Sequence, residues 1–269
     1  MSAIEAALRR ERLVTGTALA VLALLAWIYL WRGAGTGMSG LDATVLTLFP
    51  HRLCEPMVGM MRSPALGWAN AAAMWWVMMV AMMTPSAAPL VLLYSRVVRH
   101  GAEHGGERTH LASPALLVTG YFLVWLLFSW LAAALEISLQ RAGLVSASMQ
   151  CSRSALLSAG VLLAAGVYQL SPLKRQCLMR CRAPVQFLTR AWRPGPLGAL
   201  IMGGRHGAWC VGCCWLIMTL LLVGGVMNLA WIAILALLVL IEKFTRGGVL
   251  ASRLTGVTLI GWGLATLAV

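Results

Sequence analysis

The amino-acid sequence predicts an all-α fold, a polytopic transmembrane helix bundle of about seven crossings with the N-terminus inside and the C-terminus outside. Three observations carry this. Of 269 residues, 60% are apolar and 11% charged, whereas a soluble domain carries roughly 25% charged residues. Apolar runs recur from residue 13 to the end with no polar stretch long enough for a separate unit, so residues 1–269 read as a single membrane domain. The basic residues behind the formal charge of +13 lie between those runs, where membrane topology puts them. That placement argues against nucleic acid as a partner, because short loops lack a coherent basic face. The partners expected are the lipid bilayer and a protein in a membrane complex.

A spanning helix needs about 20 apolar residues, and charge-free runs measure the crossings. Leu13 to Trp31 is the first. It follows Arg9, Arg10 and Arg12 as a signal peptide would, but its length and its Trp31-Arg32 ending indicate an uncleaved helix. The second covers about 68–95, the third 111–135 and the fourth 154–173. No charge occurs between His206 and Glu242, and one helix over that distance would be about 50 Å long, so the chain must cross twice. Gly224, Gly225 and Asn228 offer the turn, giving helices at about 207–224 and 228–241. The last covers about 249–268. With the N-terminus inside, 16 Lys and Arg fall in inner segments and 5 in outer ones, which fits retention of positive charge on the cytoplasmic side of a bacterial inner membrane.

Five of the seven cysteines form two short-spaced groups, Cys177 with Cys181, and Cys210 with Cys213 and Cys214. Spacings of three and four place side chains on one helix face. Both groups are expected at the cytoplasmic edge, a reducing side where thiols persist. Thiolates are soft ligands for Cu(I) and, as the weaker candidate here, Zn(II). The neighbouring Lys174, Arg175, Arg180 and Arg182 favour the thiolate, and His206 offers a nitrogen ligand. A single cysteine would read as a small buried hydrophobe; five in two clusters favour metal or thiol chemistry. Cys54 and Cys151 fall in two outer loops, where an oxidising compartment would permit a disulfide.

The second helix carries Met74, Met78 and Met82 at four-residue spacing, and Met79 and Met83 beside them. Thioethers are uncharged soft ligands, and Cu(I) would use Met78, Met79, Met82 or Met83 within the bilayer. Taken alone, the stripe is better explained as adaptable packing. Pro85 and Pro89 are expected to kink or break this helix, with Thr84 and Ser86 satisfying freed backbone groups. Glu136 and Glu242 are expected to be solvated at helix ends, which counts against a proton-driven carrier. His100, His104 and His110 read as part of a hydrated loop. No P-loop, nucleophile elbow or zincin motif occurs, so no enzymatic activity is expected.

Three blocks resemble a bacterial family of uncharacterised proteins described as predicted metal-binding integral membrane proteins. They run from Met74 to Ser86, from Ser171 to Cys181, and from Cys210 through Trp215 to Leu229. The resemblance implies metal binding. Two functions follow as expectations. One is a soft-metal transporter or relay for Cu(I), held by the cysteine cluster and passed along the methionine-rich helix. The other is a noncatalytic membrane subunit or assembly factor in a larger complex.

Overall fold

The computed structural model describes residues 3–33, 44, 64–103, 113–146 and 152–268. Within them the chain forms ten helices: α1 Ala3–Trp31, α2 Pro64–Glu103, α3 Pro114–Arg141, α4 Ala155–Leu170, α5 Pro172–Cys181, α6 Pro184–Ala191, α7 Gly195–Thr219, α8 Leu221–Gly224, α9 Leu229–Phe244 and α10 Gly248–Ala268. The β-structure among the described residues is an isolated bridge between Val145 and Ser152. Cys54, Cys151, His104 and His110 lie outside the described residues, so the disulfide and most of the histidine loop do too.

Every predicted apolar run is helical, but the seven crossings reduce to five or six helices that meet the physical requirement. Leu13–Trp31, Gly67–Arg99, Pro114–Arg141, Gly195–Gly224 and Gly248–Ala268 are long and apolar enough to cross a membrane. The α4–α5 pair makes a sixth if it counts as one span, bent by 67°. The bend has a local cause. Ser171 caps α5 by accepting from the Lys174 N–H at 3.2 Å, and Pro172 occupies the first helical turn, where its missing N–H is harmless. Helix α9 has 16 residues, about 24 Å of rise against a hydrocarbon core of about 30 Å. The turn before it is where glycine and asparagine indicated. Gly225 has φ of 92°, and Asn228 caps α9 by accepting from the Trp231 N–H at 3.1 Å.

The main departure from the sequence reading is α7, which starts at Gly195 rather than near 207. Arg205 is exposed on the helix surface and therefore does not mark its end. Pro85 and Pro89 lie inside α2 without dividing it, and Thr84 Oγ1 donates to the Val80 carbonyl at 2.6 Å.

Helices α3 and α7 pack most closely, through glycines. A Cβ on Gly120 would lie 2.1 Å from the Leu200 carbonyl oxygen, and one on Gly203 would lie 2.0 Å from that of Leu117. Without side chains there, the two backbones touch, the usual device where helices associate without a hydrophobic driving force. Helix α2 packs on α3 and α1, α10 on α4, and α5 on α7. The outward surface is apolar: Leu131, Leu156 and Leu197 are 65%, 74% and 67% exposed. A surface of this kind fits lipid contact better than water.

Candidate metal-binding site

Five elements converge on Cys210. Helix α7 supplies the residue itself, and the close α3–α7 contact brings the Tyr121 hydroxyl to 2.9 Å from its sulfur. Helix α9 delivers Lys243, whose Nζ donates to Cys210 Sγ at 2.8 Å and to Ser86 Oγ of α2 at 2.6 Å. Ser86 Oγ stands 4.0 Å from the same sulfur. Helix α5, packed on α7, brings Cys181 beside Cys210 and Cys213. Cys210, Cys213 and Cys214 share one face of α7 and are buried, and Cys181 is half-buried. Cys177 is buried slightly apart, its sulfur against Gly212. All five are free thiols.

The donor chemistry suits a soft ion. Four sulfurs gather in a dry site, and His206 lies one turn before Cys210, 3% exposed, with an Nδ1 that has no hydrogen-bond partner. A buried polar atom left unpaired costs about 1–3 kcal/mol, and the His206 ring packs on Tyr121, the residue whose hydroxyl meets Cys210. The ligand geometry is not preassembled. Among the described residues no group of three or more His, Cys, Asp or Glu side chains is placed to hold a metal ion. The thiols of Cys213 and Cys214 instead donate to the Cys210 carbonyl at 3.1 and 3.0 Å.

Met78, Met79, Met82 and Met83 are all buried. On a helix, Trp75, Met78 and Met79, Met82 and Met83, and Ser86 succeed one another at three- and four-residue steps along one face. That face therefore runs to the thiol site through Ser86.

A family model described as PpoB2, copper chaperone, matches residues 72–266. The chain belongs to the PpoB2 copper chaperone family. The matched range contains all five clustered cysteines and the four methionines. The family description agrees with the metal part of the resemblance drawn from the three sequence blocks, and it names copper. No curated protein and no solved structure matches the chain.

Several residues of this PpoB2 family member occupy positions other than those expected. Glu136 and Glu242 are 0% and 2% exposed rather than solvated, because both lie inside helices that pack on neighbours. Glu242 Oε2 pairs with Lys174 Nζ at 2.7 Å, and its other oxygen accepts from Gln169 at 2.8 Å. Lys174 is thereby committed to a carboxylate and not to the thiols. Arg180 stacks over the Trp209 ring at 3.9 Å, and Arg182 donates to the carbonyls of Glu242 and Thr245. The cation that touches a thiol is Lys243. Sequence reasoning missed it, together with Tyr121, because a lysine closing an apolar run looks topological. Its one signal was the pair Glu242-Lys243, two opposite charges on a helix otherwise without charge.

Proposed function

We propose that this chain is a membrane copper chaperone that holds Cu(I) on Cys210, Cys213 and Cys214 with Cys181 in reach, and relays it along the methionine face of α2. The observation that carries the reading is the gathering of free thiols around Cys210, one helical turn from His206, whose buried Nδ1 has no hydrogen-bond partner. Family membership supports copper as the cargo. Loading removes thiol protons, since the thiolate is the ligand. Cys213 and Cys214 then turn from the Cys210 carbonyl toward the ion. With two of the three sulfurs ionised and the third bound as the neutral thiol, the site and Cu(I) carry one net negative charge, and the Lys243 ammonium balances it. Met78, Met79, Met82 and Met83 offer neutral soft donors that pass Cu(I) through an apolar interior without burying an anion.

In this reading the protein is not an enzyme. It sits in a bacterial inner membrane with seven crossings, α9 included, N-terminus inside, and it exchanges copper with a protein partner. The alternative, a noncatalytic subunit or assembly factor, is favoured by one observation: the carbonyl-bonded thiols of Cys213 and Cys214 look like packing cysteines.

Anaerobic metal binding separates the two. The purified protein is expected to bind one tight Cu(I) equivalent and to lose it when Cys213 and Cys214 become Ser. Unchanged affinity in that variant would remove the thiol site. Met78→Leu with Met82→Leu should slow copper transfer to an external chelator, and an unchanged transfer rate would return the stripe to packing.

A further inference from the structure

Four Asp, Glu, Lys or Arg side chains are buried among the described residues: Glu136, Lys174, Glu242 and Lys243. Lys174 and Glu242 neutralise each other, and Lys243 rests on Cys210 and Ser86. Glu136 remains. Its Oε2 accepts from the Trp75 indole N–H at 2.6 Å and its Oε1 from the Gln140 amide at 2.9 Å. Both donors are neutral. Each carboxyl oxygen thus accepts an N–H bond, and among the described residues no Lys or Arg side chain pairs with Glu136, an arrangement that a bound cation would complete, since a buried anion without a cation is costly.

Trp75 begins the methionine face of α2, and Ser86, eleven residues on, ends it at Lys243 and Cys210. The separation is about 16 Å of helix rise. The two buried ionisable groups left over from the Lys174–Glu242 pair, one carboxyl and one ammonium, thus stand at opposite ends of one thioether row. Thioethers are neutral, so a Cu(I) ion on methionine sulfur alone would leave a bare positive charge in a low-dielectric interior. Glu136 supplies the missing charge at the end away from the thiols.

We infer that Glu136, with a thioether of Met78 or Met79, forms a second and weaker Cu(I) site at the far end of the methionine face, where the ion is taken up or released. The inference rests on the methionine face carrying copper, but its test separates it from the thiol site.

Full-length protein is titrated anaerobically with Cu(I) against a chromophoric chelator, and sulfur and oxygen scattering around copper is read by X-ray absorption. The wild type is expected to hold a tight and a weaker equivalent. Cys213→Ser with Cys214→Ser should keep the weaker one, with oxygen and sulfur both around copper. Glu136→Gln should keep the tight one and weaken the other at least tenfold, and Glu136→Asp should restore part of it. If Glu136→Gln does not fold, Met78→Leu with Met79→Leu leaves the carboxylate in place and should weaken the same equivalent. A single equivalent, lost with the cysteines, would overturn the Glu136 site and leave the thiol site standing. Sulfur-only scattering in the cysteine variant, or unchanged weak binding in Glu136→Gln, would overturn it too. A weaker equivalent lost in Glu136→Gln while the tight one survives the cysteine change would instead overturn the thiol reading and uphold Glu136.

Discussion

Lys243 decides how the thiol site handles charge. An ammonium beside a metal site ordinarily repels the ion, yet here it touches a sulfur at 2.8 Å, so its effect depends on how many thiolates the ion recruits. With two, it completes a neutral assembly in a site that water does not screen. Lys243→Met should therefore weaken Cu(I) binding by about 10- to 100-fold, the worth of a hydrogen bond to a charged group, while Lys243→Arg retains most of it. Chelator competition on the three proteins checks this, and equal affinities would leave Lys243 a structural role alone. The cysteines were legible because spacings of three and four translate directly into a helix face. Lys243 was not, because it is 33 residues from Cys210 along the chain and only the packing of α9 against α2 and α7 joins them.

At the scale of elements, the site depends on how closely α3 approaches α7. Tyr121 and Gly120 are neighbours on α3, and Gly203 and Gly207 precede Cys210 on α7. A Cβ on Gly207 would stand 2.9 Å from the Tyr121 carbonyl oxygen. Gly203→Val would meet the Leu117 backbone, which has no flexible end to move, so the helices must part. The expected cost is about 1–3 kcal/mol, typical of overpacking, seen as a lower thermal midpoint together with weaker Cu(I) binding as Tyr121 leaves Cys210. Gly160→Ala is the comparison, since nothing lies within 4 Å of a Cβ there, and it should leave copper affinity unchanged and the thermal midpoint the same or higher, as Ala favours a helix over Gly. Loss of stability with full copper affinity would uncouple the helix contact from the site. The apolar runs were legible as helices, but their ends were not. Arg205 looked like a boundary, whereas α7 carries it on an exposed face and begins ten residues earlier. The bend at Ser171-Pro172 was written in a cap and a proline, and was masked by the continuous hydrophobicity of α4.

For the whole molecule, length and charge pull α9 in opposite directions. Length argues against a crossing, because 16 residues rise about 24 Å. Charge argues for it. Setting aside the buried Lys174 and Lys243 leaves 14 basic residues on the inner side of a seven-crossing arrangement and 5 on the outer, still a strong bias for N-terminus inside. If α9 did not cross, Arg246 and Arg253 would move outside and weaken that bias. The buried polar groups also help α9, since Glu242 pairs with Lys174 and the Lys243 ammonium donates to Cys210 and Ser86 inside the bundle, so neither need reach water within the last turn. The sequence could supply the bias but not this compensation, which comes from residues on α5 and α7. Reporter fusions placed after Arg246 and at the C-terminus should therefore report opposite sides, inside and outside, and a fusion in the Gly225–Asn228 turn should agree with the C-terminus. If the turn and the Arg246 fusions reported the same side, α9 would lie on one face of the bilayer, and Lys243 would reach Cys210 from the surface rather than from within.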